Sequence, residues 1–406
     1  MAVTVRTNHG LQLTSTEFQT DLSNLSSIAT VSRWHKQSPQ GSGHASGRPM
    51  HVNHTDDVDG SDDVIPPSDV VYSGGVLWVA GGAQNYGGTD VRFNPPIDLS
   101  EARIVEFETV LDQENFVDGW IEVVVTDKPY AGAAWHLDDN ASGGTPRYGF
   151  AVKLNSKRAV VGSDFYPHPG LVIWDEWAQS NQTPDSHGLA FTIGAMHLIR
   201  LEVTGTTIDG YLDGSLWFSD TWALPPEILA AAWVHFGIHN HASLKYTPFP
   251  AGMVSQWASF RWDGAVLSRP TVHRVPDDFV FHSQTGVDGA SGDGVDFGWS
   301  TPTAALEVSG VPAGVGSAML AFTVQTSLFA SPATTVVSYE LNGNGPHDTE
   351  PVAPMTSGDG RNYFLCETVD PGELVEGVNQ VEFTVDAPGG GEAPFVGNVE
   401  LIVFGA

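Results

Sequence analysis

The residues of this chain best suited to chemistry lie in one short run, His235-Phe236-Gly237-Ile238-His239-Asn240-His241. In an extended strand alternate side chains share a face, so His235, Gly237, His239 and His241 align on one side while Val234, Phe236 and Ile238 align on the other. The apolar side suits a core. On the polar side Gly237 leaves a gap between imidazoles that a ligand or a neighbouring backbone can enter. Three readings of that side stay open. Neutral imidazoles can bond the hydroxyls of a polyol at fixed spacing. They can be satisfied structurally within a polar groove or interface. Or two of them at i and i+2, about 7 Å apart, can share a metal ion or act as an acid–base pair.

Aromatic residues add to the polyol reading. Trp135, His136, Tyr166, Trp174 and Trp177 fall in loop-rich segments, where an indole can stack on the C–H face of a pyranose or cap a core. Asp175 and Glu176, between two of the tryptophans, can orient hydroxyls or face water. The candidate ligand-binding set is therefore His235, His239, His241, Tyr246, Trp135, His136, Trp174 and Trp177. A separate acidic run places Asp57, Asp59 and Asp62 around Gly60, oxygen donors for a possible Ca2+ loop, although no bidentate Glu follows at the expected distance. A solvated acidic loop is the alternative. Serine-protease, P-loop, dinucleotide and zinc-peptidase signatures are absent, and no catalytic residue is assigned.

These residues need strands to hold them. The clearest are in 197–218: Ile199, Leu201 and Val203 alternate with Leu198, Arg200 and Glu202, Thr204-Gly205-Thr206 turns the chain, and Ile208, Tyr211 and Leu212 follow. Asp213-Gly214 then supplies a tight hairpin turn before Leu216, Trp217 and Phe218. Further strands are expected over 70–79, 104–111, 120–126, 148–154, 171–174 and 257–262, and later over 318–324, 336–341, 362–366, 380–385 and 398–404. With 45 Gly, 26 Pro and many β-branched and aromatic residues, the chain reads as all-β. Only 15–31, with Phe18, Leu22, Leu25 and Ile28, has helical spacing.

The expected organisation is an N-terminal arm over 1–65, a short helix and otherwise irregular, packed on a neighbouring domain or partner; a main β-sandwich over 66–268; and an acidic C-terminal β-sandwich over 269–406. Pro270 and Pro276 mark the linker between the sandwiches.

The order Ile199-Arg-Leu-Glu-Val203, turn, Tyr211-Leu-Asp-Gly214 resembles the strands that follow the ligand face in concanavalin A-like lectin and glucanase jelly rolls. Ser259-Phe-Arg-Trp-Asp-Gly264 is similar to their closing strand. The resemblance implies a two-sheet jelly roll whose concave face, here the histidine face, looks into a glycan groove. It implies a lectin-like function, with a polysaccharide or surface glycan as partner. Glu106 and Glu108 resemble the strand of legume lectins in which acids hold metal ions, but the rest of that pattern is missing. The Glu-x-Asp-x-x-Glu strand of the glucanases is also missing. A secreted polysaccharide lyase or glycoside hydrolase on the same groove is the enzymatic alternative, and a lyase would draw on His239, Asn240, Lys245, Tyr246 and Arg200. The stretch 374–383 is similar to accessory β-sandwich modules of carbohydrate-active proteins.

Charge narrows the partners. Acidic residues number 48 against 17 basic, a formal net charge of −31, and after Arg274 the sole basic residue is Arg361. Such a chain repels nucleic-acid phosphates and anionic headgroups. Its self-repulsion is relieved where salt shortens the Debye length, to about 3 Å at 1 M. The composition resembles that of halophile proteins. The lone Cys366 excludes an intrachain disulfide and reads as a small buried hydrophobe. The N-terminus has no charged-then-apolar leader, and no apolar run of about 18 residues predicts a membrane span. Together these suggest an extracellular or virion-surface recognition protein, such as a receptor-binding or decorating protein of a halophile-infecting virus. Homo-oligomer or virion contacts through 1–65 are expected. A purely structural virion or assembly protein is the third reading.

Overall fold

The computed structural model describes residues 16–20, 29–36, 50–51, 70–73, 75–80, 87–100, 103–111, 119–130, 147–154, 170–176, 178–182, 195–240, 254–263, 270–275, 295–296, 303–326, 336–349, 361–386 and 395–405. The fold class expected from the sequence is the one observed: an all-β chain with a two-sheet jelly roll and a second, smaller β-sandwich.

The first sheet runs in the order β14 (Ser215–Thr221), β13 (Thr207–Leu212), β12 (Met196–Val203), β7 (Arg103–Leu111), β16 (Val254–Asp263), β5 (Val76–Ala80), β4 (Val70–Ser73), with β1 (Thr16–Thr20) also paired to β16. The second runs β11 (Ala178–Gln182), β10 (Gly170–Glu176), β9 (Arg147–Leu154), β8 (Gly119–Thr126), β15 (Trp233–Asn240), β6 (Gly87–Phe93), β2 (Ala29–Lys36), β3 (Met50–His51). In the smaller sandwich the third sheet joins β17 (Thr271–Arg274), β25 (Phe395–Gly405), β20 (Val315–Thr326) and β23 (Arg361–Val369), with β18 (Val295–Asp296) on β25. The fourth joins β19 (Thr303–Val311), β24 (Gly377–Asp386), β21 (Val336–Leu341) and β22 (Asn344–Asp348). A short helix, α1 (Pro226–Ala230), precedes β15. Among the described residues no helix is long and apolar enough to cross a membrane.

The hairpins over 197–218 form as their residues dictate. Ile199, Leu201 and Val203 are buried in the core, and the turn between β13 and β14 places Asp213 at φ 48° and Gly214 at φ 84°, the positive-φ pair that a tight hairpin requires. Two bulges complete the core. Trp257 and Phe260 are an odd number apart, so a regular strand would send them to opposite faces; a register shift between Trp257 and Ser259 returns both to the interior. A second shift, between Gly210 and Tyr211, lets both Trp217 and Phe218 point inward. The result is an aromatic centre in which Phe93 lies 4.6 Å from Phe260 and Phe236 lies 4.8 Å from Trp257, ring centroid to centroid.

The N-terminal expectation needs correction. No helix forms over the described part of 15–31: Thr16–Thr20 is a strand that sets Phe18 opposite Trp262, and Ala29–Lys36 pairs with β6. Phe18 and Leu22 are four apart, which fits a period of 2 as well as 3.6, and the ladder available on β16 decides between them. These strands join both sheets of the larger sandwich. The expected linker between Pro270 and Pro276 likewise contains β17.

Candidate functional site

Residues 235–240 of the histidine run fold within β15, flanked by β6 and β8 near the middle of the second sheet. Val234 and Phe236 are fully enclosed in the core between the sheets, which turns Trp233, His235 and Gly237 to the outer face. Cross-strand register then sorts that face into levels. His235 stands between Arg92 and Val124, Gly237 between Asp90 and Glu122, and His239 between Gly88 and Trp120. Since Gly88 also pairs with Trp34 of β2, one row across four adjacent strands reads Trp34, Gly88, His239, Trp120. Its two tryptophan positions are three strand spacings apart, about 14 Å.

At the other end of β15 the face is closed. His235 is 0% exposed; its Nδ1 lies 3.1 Å from Asp90 Oδ2 and its Nε2 lies 3.1 Å from Thr126 Oγ1. The Thr126 hydroxyl donates its one proton to the Lys128 carbonyl at 2.7 Å, so Oγ1 accepts from Nε2–H. Both ring nitrogens are thereby occupied. This corrects the expectation that His235 contacts ligand, and realises the structural alternative instead. Beside it, burial pushes the Asp127 carboxyl up to about 6 against the opposing pull of Lys128.

The other expected positions divide by place. His239 has its register in β15, and Trp174 pairs with Gly149 and Gln179 on β10, at the level of Thr126 and Trp233. Asp175, next to Trp174, is exposed. His241, Tyr246, Trp135, His136 and Trp177 lie outside the described residues, as do Asp57, Asp59 and Asp62 of the expected Ca2+ loop. Among the described residues no group of three or more His, Cys, Asp or Glu could hold a metal ion.

The acids that resemble a metal-holding strand do not fit a cation. Glu106 is buried and paired with both Arg200 and Arg261, while Glu108 accepts from the Ser259 hydroxyl at 2.7 Å. Arg200 also donates to Glu202, at 2.6 Å. The network lies on the outer face of the first sheet, the side of the sandwich opposite β15. Arg200 is therefore withdrawn from the lyase set with His239, because the whole sandwich core separates them. Trp34, Gly88 and Trp120 were not singled out in the sequence. Trp120 stands in one alternation with Glu122 and Val124, a signal contained in the sequence, but only register sets its position opposite His239.

No family model matches the chain. No curated protein sequence matches it either. Among solved structures the chain is similar to a β-glucanase of Bacillus licheniformis, with 12% identity over 62% of this chain and 100% of that one and a TM-score of 0.35. It is also similar to a Bacillus subtilis protein of unknown function with a galectin-like fold, at 8% identity over 63% and 98% of the two chains and a TM-score of 0.37. A basic lectin of winged bean, solved with Tn-antigen, shares 12% identity over 49% of this chain and 91% of its own, at a TM-score of 0.31. The fold assignment rests on the strand pairings above.

Proposed function

We propose that the chain is a glycan-binding recognition protein and that the outer face of its second sheet is the binding surface. The observation that carries this is the row Trp34, Gly88, His239, Trp120 across β2, β6, β15 and β8. In this reading the two tryptophans stack on sugar faces, Gly88 keeps the floor open between them, and His239 bonds hydroxyls. His241, Tyr246, Trp135, His136, Trp174 and Trp177 are the further contacts it proposes. In its finer form the protein works at high salt, as a receptor-binding or decorating protein on the virion of a halophile-infecting virus; the net charge of −31 supports the salt condition.

The test is titration of the full chain in 1 M KCl with a mannan, a β-glucan, a galactan and a polyuronate, following tryptophan fluorescence and product release together. Quenching by at least one, without new reducing ends or unsaturated product, is expected. Trp120→Ala should weaken that binding at least fivefold, taking the roughly 1–3 kcal/mol of a nucleic-acid base stacked on an aromatic side chain as the guide. Release of product would replace the lectin reading with an enzymatic one, and His239 and Tyr246 would be the first residues to change. Failure of every polysaccharide to bind would overturn the proposal.

A further inference from the structure

The outer face of the second sheet is not free along its length, because the C-terminal sandwich sits on the Trp233 end. Trp233, 2% exposed, packs with Tyr130 against Ala321, Cys366 and Ile402 of the third sheet, with Val272, Met319 and Phe404 at the margin. The rings of Trp233 and Phe404 are 6.5 Å apart. Arg92, almost fully enclosed, has its guanidinium 5.8 Å from the Trp233 ring and donates to Glu400 at 2.8 Å and to the Pro129 carbonyl at 2.6 Å. Arg274 Nε lies 3.3 Å from the other Glu400 oxygen.

Two strands carry both surfaces. On β15 the docked Trp233 and the proposed ligand residue His239 are six residues apart; on β6 the docked Arg92 and the floor position Gly88 are four apart, about 13 Å. Between them the bonds Asp90 to His235 to Thr126 tie β6, β15 and β8 together. Docking therefore holds one end of β6 and β15, the two strands whose other end carries Gly88 and His239 of the row. A ligand lying across that row would hold the same two strands.

We infer that the C-terminal sandwich, docked at one end of β6 and β15, is coupled through these two strands to the glycan site at their other end, so that glycan binding and docking of the two sandwiches reinforce one another. The inference rests on the glycan reading. Coupling of this kind is reciprocal: whatever factor docking adds to glycan affinity, bound glycan adds to docking.

The chain carries its own reporter. Cys366, the only cysteine, is buried between the sandwiches, 3.9 Å from the Met319 sulfur. Burial pushes its thiol up to about 12, and the nearest charges acting on it include Lys128, Arg92 and Asp127 of the larger sandwich. Alkylation must wait for the interface to part. The experiment measures iodoacetamide labelling of the full chain at pH 8 in 1 M KCl, with and without the polysaccharide of the panel above that quenches most. Urea is kept below the concentration at which the rate begins to climb, so that local parting is read and not unfolding. Saturating polysaccharide should slow labelling at least fivefold. A second variant, Phe404→Ala, should speed labelling and weaken the dissociation constant severalfold while the far-UV spectrum stays unchanged. Full binding with an unchanged labelling rate, or faster labelling in Phe404→Ala with unchanged affinity, would overturn the inference and leave the glycan reading standing. No binding by any polysaccharide would remove both.

Discussion

At the scale of single residues, burial decides which polar groups are available for function. His235 has the residue type, the strand and the face expected of a ligand contact, yet both its nitrogens serve Asp90 and Thr126. Asp127, 8% exposed and held near 6, has the opposite character, a charge that the fold disfavours. Its carboxyl stays protonated in the folded chain at pH values where the unfolded chain has already ionised, from about 4 to about 6. The folded state then binds the extra proton, so stability falls as pH rises through that window and the full cost is present above it. Two pKa units correspond to on the order of 3 kcal/mol. Asp127→Asn keeps the shape without the charge. It should unfold at higher urea than the parent at pH 7.5 and at the same urea at pH 3.5, and an equal gain at both pH values would assign the effect to packing.

At the scale of elements, what was legible is what is local. The hairpins over 197–218 announce themselves because the alternation of Ile199, Leu201 and Val203 and the Asp213-Gly214 turn are contained in adjacent residues. Trp257 and Phe260 sharing a core was not legible, because it depends on a bulge fixed by the partner strand. Nor was the row from Trp34 to Trp120, since strand order places β2 and β8 within one sheet although they are distant in sequence. The cover over Trp233 comes from the other sandwich, beyond the reach of any local pattern. Register also creates a liability in the fourth sheet, where Glu340 stands directly opposite Glu382 and none of the four strands contains Lys or Arg. Like charges at a cross-strand pair destabilise by roughly 0.2–1 kcal/mol. Glu382→Lys should raise the melting temperature in 50 mM KCl and lose most of that gain in 1 M KCl, where the Debye length is about 3 Å. A gain that persists at high salt would mean that lysine contributes by covering apolar surface.

At the scale of the whole molecule, the question is whether two sandwiches behave as one body, and the Arg92–Glu400 pair is where that is decided. The pair is enclosed on both sides, 1% and 0% exposed, so each charge has lost its water and depends on the other. Removing one partner from such a pair costs about 3–5 kcal/mol, mainly because the remaining charge is stranded. Arg92→Met leaves Glu400 with Arg274 alone and removes the contact over Trp233. Calorimetry should then resolve two melting transitions where the parent shows one, the sandwiches having lost the term that couples them. Changing both partners, Arg92→Met with Glu400→Leu, leaves neither charge stranded and extends the apolar contact among Trp233, Ile402 and Phe404. Arg274, 27% exposed at its side chain, can turn to water. The double variant should recover a single transition. If it splits as the single variant does, the ion pair itself, with its directional hydrogen bonds, is what sets one sandwich against the other, and apolar area alone cannot replace it.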